Sequence, residues 1–331
     1  MGLNFSMKYT SKRCRLLLAL SALAILAISA CDQSERTRIG VIPKAVAHVF
    51  WKSVHAGAIA AGREAGIDIE WKGPPTETDF SRQIEIVDSM INARVDGIVL
   101  APTEATALST VVERANKQGI PVTIFDSAIN TDKYVSFVAT NNYDAGVLAA
   151  RQLAKLLDSE SQVIVVKMVP GSASTTQREK GFEETLTREF PGIQVLAEQY
   201  CMADRARALA VSENMLTAHP NVDGVFASAE PATIGAAKAL RSRGLDGKVK
   251  LVGFDFSVTI EKDLRDGIID ALIVQDPFNI GYEAVKTIIA KIGGRTPEKR
   301  IDSPATVVTL DNLADPTIDE LVHPDLDKYL P

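Results

Sequence analysis

From position 37 onward, short runs of β-branched and apolar residues recur along the chain. Longer segments with apolar positions at helical spacing separate them. RIGVI (38–42) is followed by a helical pattern over 50–65, then IDIEW (67–71), a helix over 81–93 and DGIVLA (96–101). A helix over 105–118 leads through a Gly-Ile-Pro stop into IPVTIFD (120–126). Strand, helix and strand at this spacing predict βαβ units and a parallel sheet covered by helices on both faces.

A polar connector (128–133) and VSFVA (135–139) close this series, and the alternation then restarts. The strand-like runs of the second series are QVIVVKMV (162–169), GIQVLAEQY (192–200), DGVFAS (223–228), VKLVGFD (249–255) and DALIVQ (270–275). Helices are clearest over 205–218 and 231–243. VDGIVLAPTEATAL (95–108) echoes VDGVFASAEPATIG (222–235), a likeness between two lobes of one design rather than a solenoid period. The expected fold is therefore α/β, two doubly wound parallel-sheet lobes joined by a multi-strand hinge. Ligands of open α/β sheets bind at the carboxyl ends of the strands, so two such edges facing each other form a cleft.

Charge changes the picture at the amino terminus. Four of the 36 basic residues and none of the 42 acidic ones lie in the first 30 positions, so the rest of the chain carries a net charge of −10. An acidic body of this kind lacks the basic footprint of a nucleic-acid binder. The basic start precedes an apolar run of 15 residues (16–30), short of the roughly 20 that span a bilayer. It fits a secretory signal, residues 1–30. Its end, Ile28-Ser29-Ala30-Cys31, resembles the lipobox of bacterial lipoproteins, which implies a lipidated Cys31 followed by a linker over 31–36. The body is thus expected in the periplasm or at the cell surface, tethered to the cytoplasmic membrane. Asp32, directly after Cys31, resembles the signal that keeps lipoproteins of enteric Gram-negative bacteria on the inner membrane. Of the three cysteines, Cys14 and Cys31 belong to this segment, and Cys201 alone cannot form an internal disulfide.

The polar residues at strand ends carry the candidate chemistry. Asp126 ends IPVTIFD and Asp255 ends VKLVGFD, two carboxylates on equivalent edges, each able to accept from two vicinal hydroxyls. Phe50 and Trp51 open the first helix; neighbours on a helix stand about 100° apart, so one of the two is expected to face the cleft and stack on a sugar ring. Arg178 follows the strand at 162–169 and offers a planar donor fork, and Gln275 brings a donor and an acceptor to another strand end. No Rossmann, Walker, nucleophile-elbow or zincin motif is present, and the four histidines show no metal-ligand spacing. Neither cofactor nor metal is expected, and no catalytic residue. A glycosidase reading of Asp126 with Asp255 lacks the unequal environments that separate acid from base.

Together these segments resemble the type I periplasmic binding proteins, the sugar-binding components of bacterial ABC importers typified by ribose binders. The likeness runs in order through FWKSVHAGA (50–58), DGIVLAPTEATAL (96–108), IPVTIFDS (120–127), ATNNYDAG (139–146), REKGF (178–182), NMLTAHPNVDGVFAS (214–228), VKLVGFD (249–255) and VQDPFNIGYEAV (274–285). It implies an aromatic sandwich at Phe50 and Trp51 and polar ligand contacts from Asp126, Arg178, Asp255 and Gln275. Four positions depart from the ribose pattern. Ser127 replaces an arginine, Ala203 an aromatic, Ala229 (before Glu230) an asparagine, and His48 another asparagine. A site changed in this way points away from ribose, towards a larger pentose, a hexose, a polyol or a disaccharide.

The resemblance also implies an amino-terminal lobe of 37–139 plus 276–304, and a carboxy-terminal lobe and tail of 140–275 plus 305–331. It implies a monomer that closes on a carbohydrate and docks on an ABC permease in the membrane. The other reading is a sugar or autoinducer receptor of the same fold feeding a chemoreceptor or sensor kinase. A repressor with this core would need a helix-turn-helix before residue 37, where the chain carries the signal-like segment instead.

Overall fold

In the first half of the chain, β1 (Arg38–Ile42), β2 (Asp68–Trp71), β3 (Gly97–Leu100), β4 (Val122–Phe125) and β5 (Phe137–Thr140) form where the apolar runs predict them. The computed structural model describes residues 1–2, 36–46 and 48–330. Residues 3–35, which hold the rest of the expected signal segment with Cys31 and Asp32, lie outside the described residues. Together with β11 (Arg300–Ser303) these strands build an all-parallel sheet of order β11-β5-β4-β3-β1-β2.

The second half repeats the plan. β6 (Ser161–Lys167), β7 (Ile193–Tyr200), β8 (Gly224–Ala227), β9 (Lys250–Phe254) and β10 (Ala271–Val274) join β12 (Thr306–Val308) in the order β12-β10-β9-β8-β6-β7. Only β12 runs antiparallel. Strand order reverses beside β1 in one sheet and beside β6 in the other, which sets the ligand-binding crevice of each lobe at equivalent places.

The inner strands β3, β4, β8 and β10 are buried on both faces, and this explains why they read as continuous apolar runs. In the first lobe Ile42, Ile98, Leu100 and Ile124 pack under α2 (Phe80–Asn92) and α3 (Ser109–Lys117). On the other face Ile39, Val41, Val99 and Phe125 meet α1 (Val49–Ala65) and α9 (Pro277–Ile292). In the second lobe α4 (Asn142–Ala154) and α5 (Ala173–Glu189) cover Val163, Val165, Phe226 and Phe254. The opposite face carries α6 (Arg205–Ala218), α7 (Glu230–Ser242) and α8 (Val258–Arg265) over Ile164, Val166, Leu251 and Leu272. The helix expected over 105–118 starts only at Ser109, because the Glu104 carboxylate accepts from the Thr106 (3.0 Å) and Ala107 N–H groups and turns the chain first.

The chain passes between the sheets three times: from β5 into α4, from β10 into α9, and from β11 into β12. Both helices entered this way are capped at once. Asn141 accepts from the Asp144 N–H (3.4 Å) and Asp276 from the Asn279 N–H (2.9 Å), fixing the direction in which each crossing leaves. Helix pairs in both lobes then pack at backbone distance. A Cβ on Gly57 of α1 would lie 1.9 Å from the Phe278 carbonyl oxygen of α9, and one on Gly146 of α4 would lie 2.0 Å from the Arg178 carbonyl oxygen of α5. The second contact matters for function, since it seats the arginine that reaches the cleft.

Candidate functional site

The carboxyl edges of the two sheets face one another across a cavity lined by Lys44, His48, Phe50, Trp51, Glu77 and Asp126 from the first lobe. Met168, Ser174, Thr175, Arg178, Ala229, Glu230, Pro231 and Asp255 come from the second, and Gln275 stands at a crossing. Lys44, Asp126, Met168, Ala229, Asp255 and Gln275 each follow a strand by one or two residues. Phe50 and Trp51 lie in the first turn of α1, Ser174 and Arg178 early in α5, and Glu230 opens α7. Three helix amino termini therefore converge on the cavity, with partial positive charge that suits hydroxyl oxygens and carboxylates.

Asp126 and Asp255 occupy the same structural position in the two lobes. Both adopt left-handed backbone, φ 59° and 66°. Each donates its N–H to the neighbouring strand, Asp126 to Val138 O and Asp255 to Ile273 O, both at 2.9 Å. That conformation costs a non-glycine residue on the order of 1 kcal/mol, least for Asn and Asp, and it turns the carboxylate off the strand into the cleft.

Their partners differ. Asp126 Oδ2 lies 2.7 Å from Lys44 Nζ. Asp255 accepts from Gln275 Nε2 at 2.8 Å and from the Glu230 N–H at 3.2 Å. Burial pushes the Asp255 carboxyl above the usual carboxylate range, with Arg178, Gln275 and the Glu230 N–H pulling the other way. Burial likewise lowers the Arg178 guanidinium, opposed chiefly by Asp255 and then Asp126. Both charges are therefore held against a desolvation cost by their neighbours.

Arg178 is fixed by groups that leave one face to the cavity. It donates to Ser228 O (2.6 Å) and, through Nη2, to Asn142 Oδ1 (2.8 Å), and it lies 3.5 Å over the Phe254 ring. Trp51 donates Nε1 to Glu77 Oε1 at 3.0 Å and meets Phe50 edge-on at 4.9 Å, so both rings of the pair line the cavity and not one alone. Glu230 pairs with Arg205 on its outer side, while its Oε2 has no hydrogen-bond partner; His48 Nδ1 stands 3.6 Å from it across the cleft.

Direct bonds join the lobes. Lys44 Nζ donates to Ser172 Oγ (3.2 Å) and Ser174 Oγ (2.8 Å), and the Ser174 N–H donates to Ser127 Oγ (3.0 Å). The space left is about 40 Å³, well under the roughly 150 Å³ cavity that takes a benzene ring. A six-membered ring would fit there only if the lobes part and these bonds give way.

Two of the residues singled out from sequence do not line the cavity. Ser127 is buried beside it and acts in the lobe-to-lobe bond. Ala203, with φ 58°, packs against the core of the second lobe. The sequence pattern did not single out Lys44, Glu77, Ser174 or Thr175. Lys44 had a readable signal, for it stands two residues past a predicted strand; Glu77 comes from a loop without periodicity.

The periplasmic binding protein domain matches residues 39–296 of this sequence. The chain belongs to that family. Among its relatives, the ribose import binding protein RbsB of Bacillus subtilis (strain 168) is 29% identical over 271 residues, spanning 82% of this chain and 87% of the relative. A carbohydrate transporter solute binding protein from Agrobacterium radiobacter, solved with D-arabinose, superposes with a TM-score of 0.85 at 32% identity, covering 88% of this chain and all (100%) of that one. An ABC transporter solute binding protein from Agrobacterium vitis, bound with α-D-tagatopyranose, gives 0.84 at 30% identity, covering 87% and 99%. Relatives of this periplasmic binding protein are thus named as transport binding proteins and not as enzymes. Among the described residues no cluster of metal-ligating side chains occurs, and no helix is long and apolar enough to cross a membrane.

Proposed function

We propose that this protein is an extracytoplasmic solute-binding lipoprotein, tethered through Cys31, that delivers a monosaccharide or related carbohydrate to an ABC importer. Its lobes, 37–139 with 276–304 and 140–275 with 305–331, close around the ligand. One observation carries the reading: Asp126 and Asp255 stand at matching left-handed positions on opposed sheet edges, within one cavity with Arg178, Gln275 and the Phe50–Trp51 pair. Carboxylates accept from vicinal hydroxyls, Arg178 and Lys44 donate to hydroxyl and ring oxygens, and the aromatic faces cover the C–H surface of the ring.

Closure follows from differential affinity. A sugar that touches both lobes stabilises the closed form over the open one, and it must do better than the Lys44–Ser172 and Lys44–Ser174 bonds it displaces. His48, Ala229 and Glu230 alter the donors and the space at one end, which favours a ligand other than ribose. The test is a thermal-shift screen of the purified protein against pentoses, hexoses, polyols and disaccharides. A neutral carbohydrate should raise the midpoint, since it binds only the folded state; a panel with no shift would refute the reading.

A further inference from the structure

The chain beyond residue 296 lies outside the family match, and its last part touches both lobes. α10 (Pro316–Val322) docks on the second lobe, with Leu313 and Ile318 in that lobe's core and His323 Nε2 3.0 Å from Glu261 Oε2. A few residues later the chain reaches the first lobe. Arg63 of α1 donates Nη1 to Lys328 O (2.7 Å) and Nη2 to Tyr329 O (3.0 Å), and the Tyr329 ring sits 5.4 Å from that of Phe278.

Between those two anchors the segment walls a second chamber of about 270 Å³. Its lining is mainly apolar: Val258, Val274 and Pro277 on one side, Leu321, Val322 and Leu326 of the carboxy-terminal segment on the other. Phe50, Asp255 and Gln275 border both this chamber and the polar cavity. Val49 and Val258 are exposed, so the chamber opens to solvent beside the cleft.

We propose that this chamber is a second subsite, which takes an apolar aglycone, an aryl or short alkyl group, of a sugar whose ring lies in the polar cavity. The ligands of this protein then include glycosides as well as free sugars, a conclusion that rests on the carbohydrate reading above. The chamber is well above the roughly 150 Å³ that accommodates benzene in an apolar cavity. Beyond Asp255 and Gln275, which it shares with the polar cavity, its polar lining is Ser53, Ser257 and His323, and apolar side chains make up the rest, which is why an apolar group and not a disaccharide is assigned to it. The shared residues Phe50, Asp255 and Gln275 set the two spaces side by side.

The experiment is calorimetric titration of the full-length protein with the tightest free sugar from the panel, and with the methyl and phenyl glycosides of that sugar in both anomers. One phenyl glycoside should bind about tenfold or more tightly than its methyl counterpart, as burial of a ring-sized apolar surface requires. Leu321→Trp, which fills the chamber, should abolish that advantage while leaving the free sugar within about threefold. Arg63→Ala, which loosens the wall without entering it, should reduce the advantage too. A phenyl glycoside no tighter than the methyl one in either anomer overturns the subsite. So does a Leu321→Trp protein that loses free sugar and glycoside equally. If no free sugar binds, the carbohydrate reading falls and the subsite with it; failure confined to the glycosides removes the subsite alone.

Discussion

Replacing Asp255 by asparagine separates what this side chain does for binding from what it does for folding. The carboxylate is 7% exposed and accepts from Gln275 Nε2 and the Glu230 N–H. Asparagine keeps the shape but has one acceptor oxygen, so one donor is left facing an NH₂ group, a loss of about 1–3 kcal/mol. Against this stands the removed charge, whose burial raises the Asp255 pKa; desolvating a buried ion costs several kcal/mol.

The sign follows. A carboxylate with a folded pKa above its unfolded value of 3.8 destabilises the fold fully above the raised pKa, and the cost fades as pH falls towards the unfolded value. Without sugar, the variant should therefore melt at or above the wild-type temperature at pH 8, and the two should draw together as pH falls to about 4. With sugar the order reverses. Two charge-assisted bonds to hydroxyls weaken by about 1–2 kcal/mol each, near 3 kcal/mol in all, or roughly a hundredfold in Kd. Calorimetric titration and melting between pH 4 and 8 measure both effects. Unchanged sugar affinity would refute the assignment of Asp255 to the ligand. A ligand-free variant several degrees less stable at pH 8 would refute the charge argument.

Lys44→Met removes the lobe-to-lobe bonds to Ser172 and Ser174, so the ligand-free protein should expand in small-angle scattering, and an unchanged radius of gyration would count against the closed-state contact. Gly146→Ala puts a Cβ at 2.0 Å from the Arg178 carbonyl oxygen; overpacking of this kind costs on the order of 1–3 kcal/mol, and the displaced arginine should also weaken sugar binding. Glu179, buried and pushed up to about 7, destabilises the fold above that pH, and the cost is relieved as pH falls towards 4.5. Glu179→Gln should thus raise the melting temperature at pH 8 and flatten its rise between pH 8 and 5, as a pH series of melts would show. Four carboxylates, Glu77, Asp126, Glu230 and Asp255, line the cavity against the two cations Lys44 and Arg178; uronates and sugar phosphates should leave the melting temperature unmoved where their neutral parents raise it.

The fold was readable because its inner strands are buried on both faces. β3, β4, β8 and β10 are buried along their whole length and stand out as apolar runs, and β1 coincides with RIGVI residue for residue. The rule that ligands gather at carboxyl ends of parallel strands then led to Asp126, Asp255 and Gln275, whose positions need no knowledge of side-chain packing. Residues from loops and edges were less accessible. Glu77 reaches the cavity through a non-periodic loop and its bond to Trp51, and β11 (RIDS) is too polar and short to register as a strand. Ala203, at φ 58° and packed on the core of the second lobe, has no side chain to extend into the cleft, so the family resemblance at that position does not carry over to the cavity. The tail chamber exists only through contacts separated by about 265 positions in the chain, such as Arg63 with Lys328, which no local pattern encodes.

The central claim, that a neutral carbohydrate is the ligand and draws Asp126 and Asp255 together across the cleft, is tested most directly by calorimetric titration of a pentose, hexose, polyol and disaccharide panel into wild type and Asp126→Ala, Asp255→Ala double variant. At least one neutral carbohydrate should bind the wild type saturably and none should bind the double variant. Binding of the same sugar with equal affinity to both would contradict it.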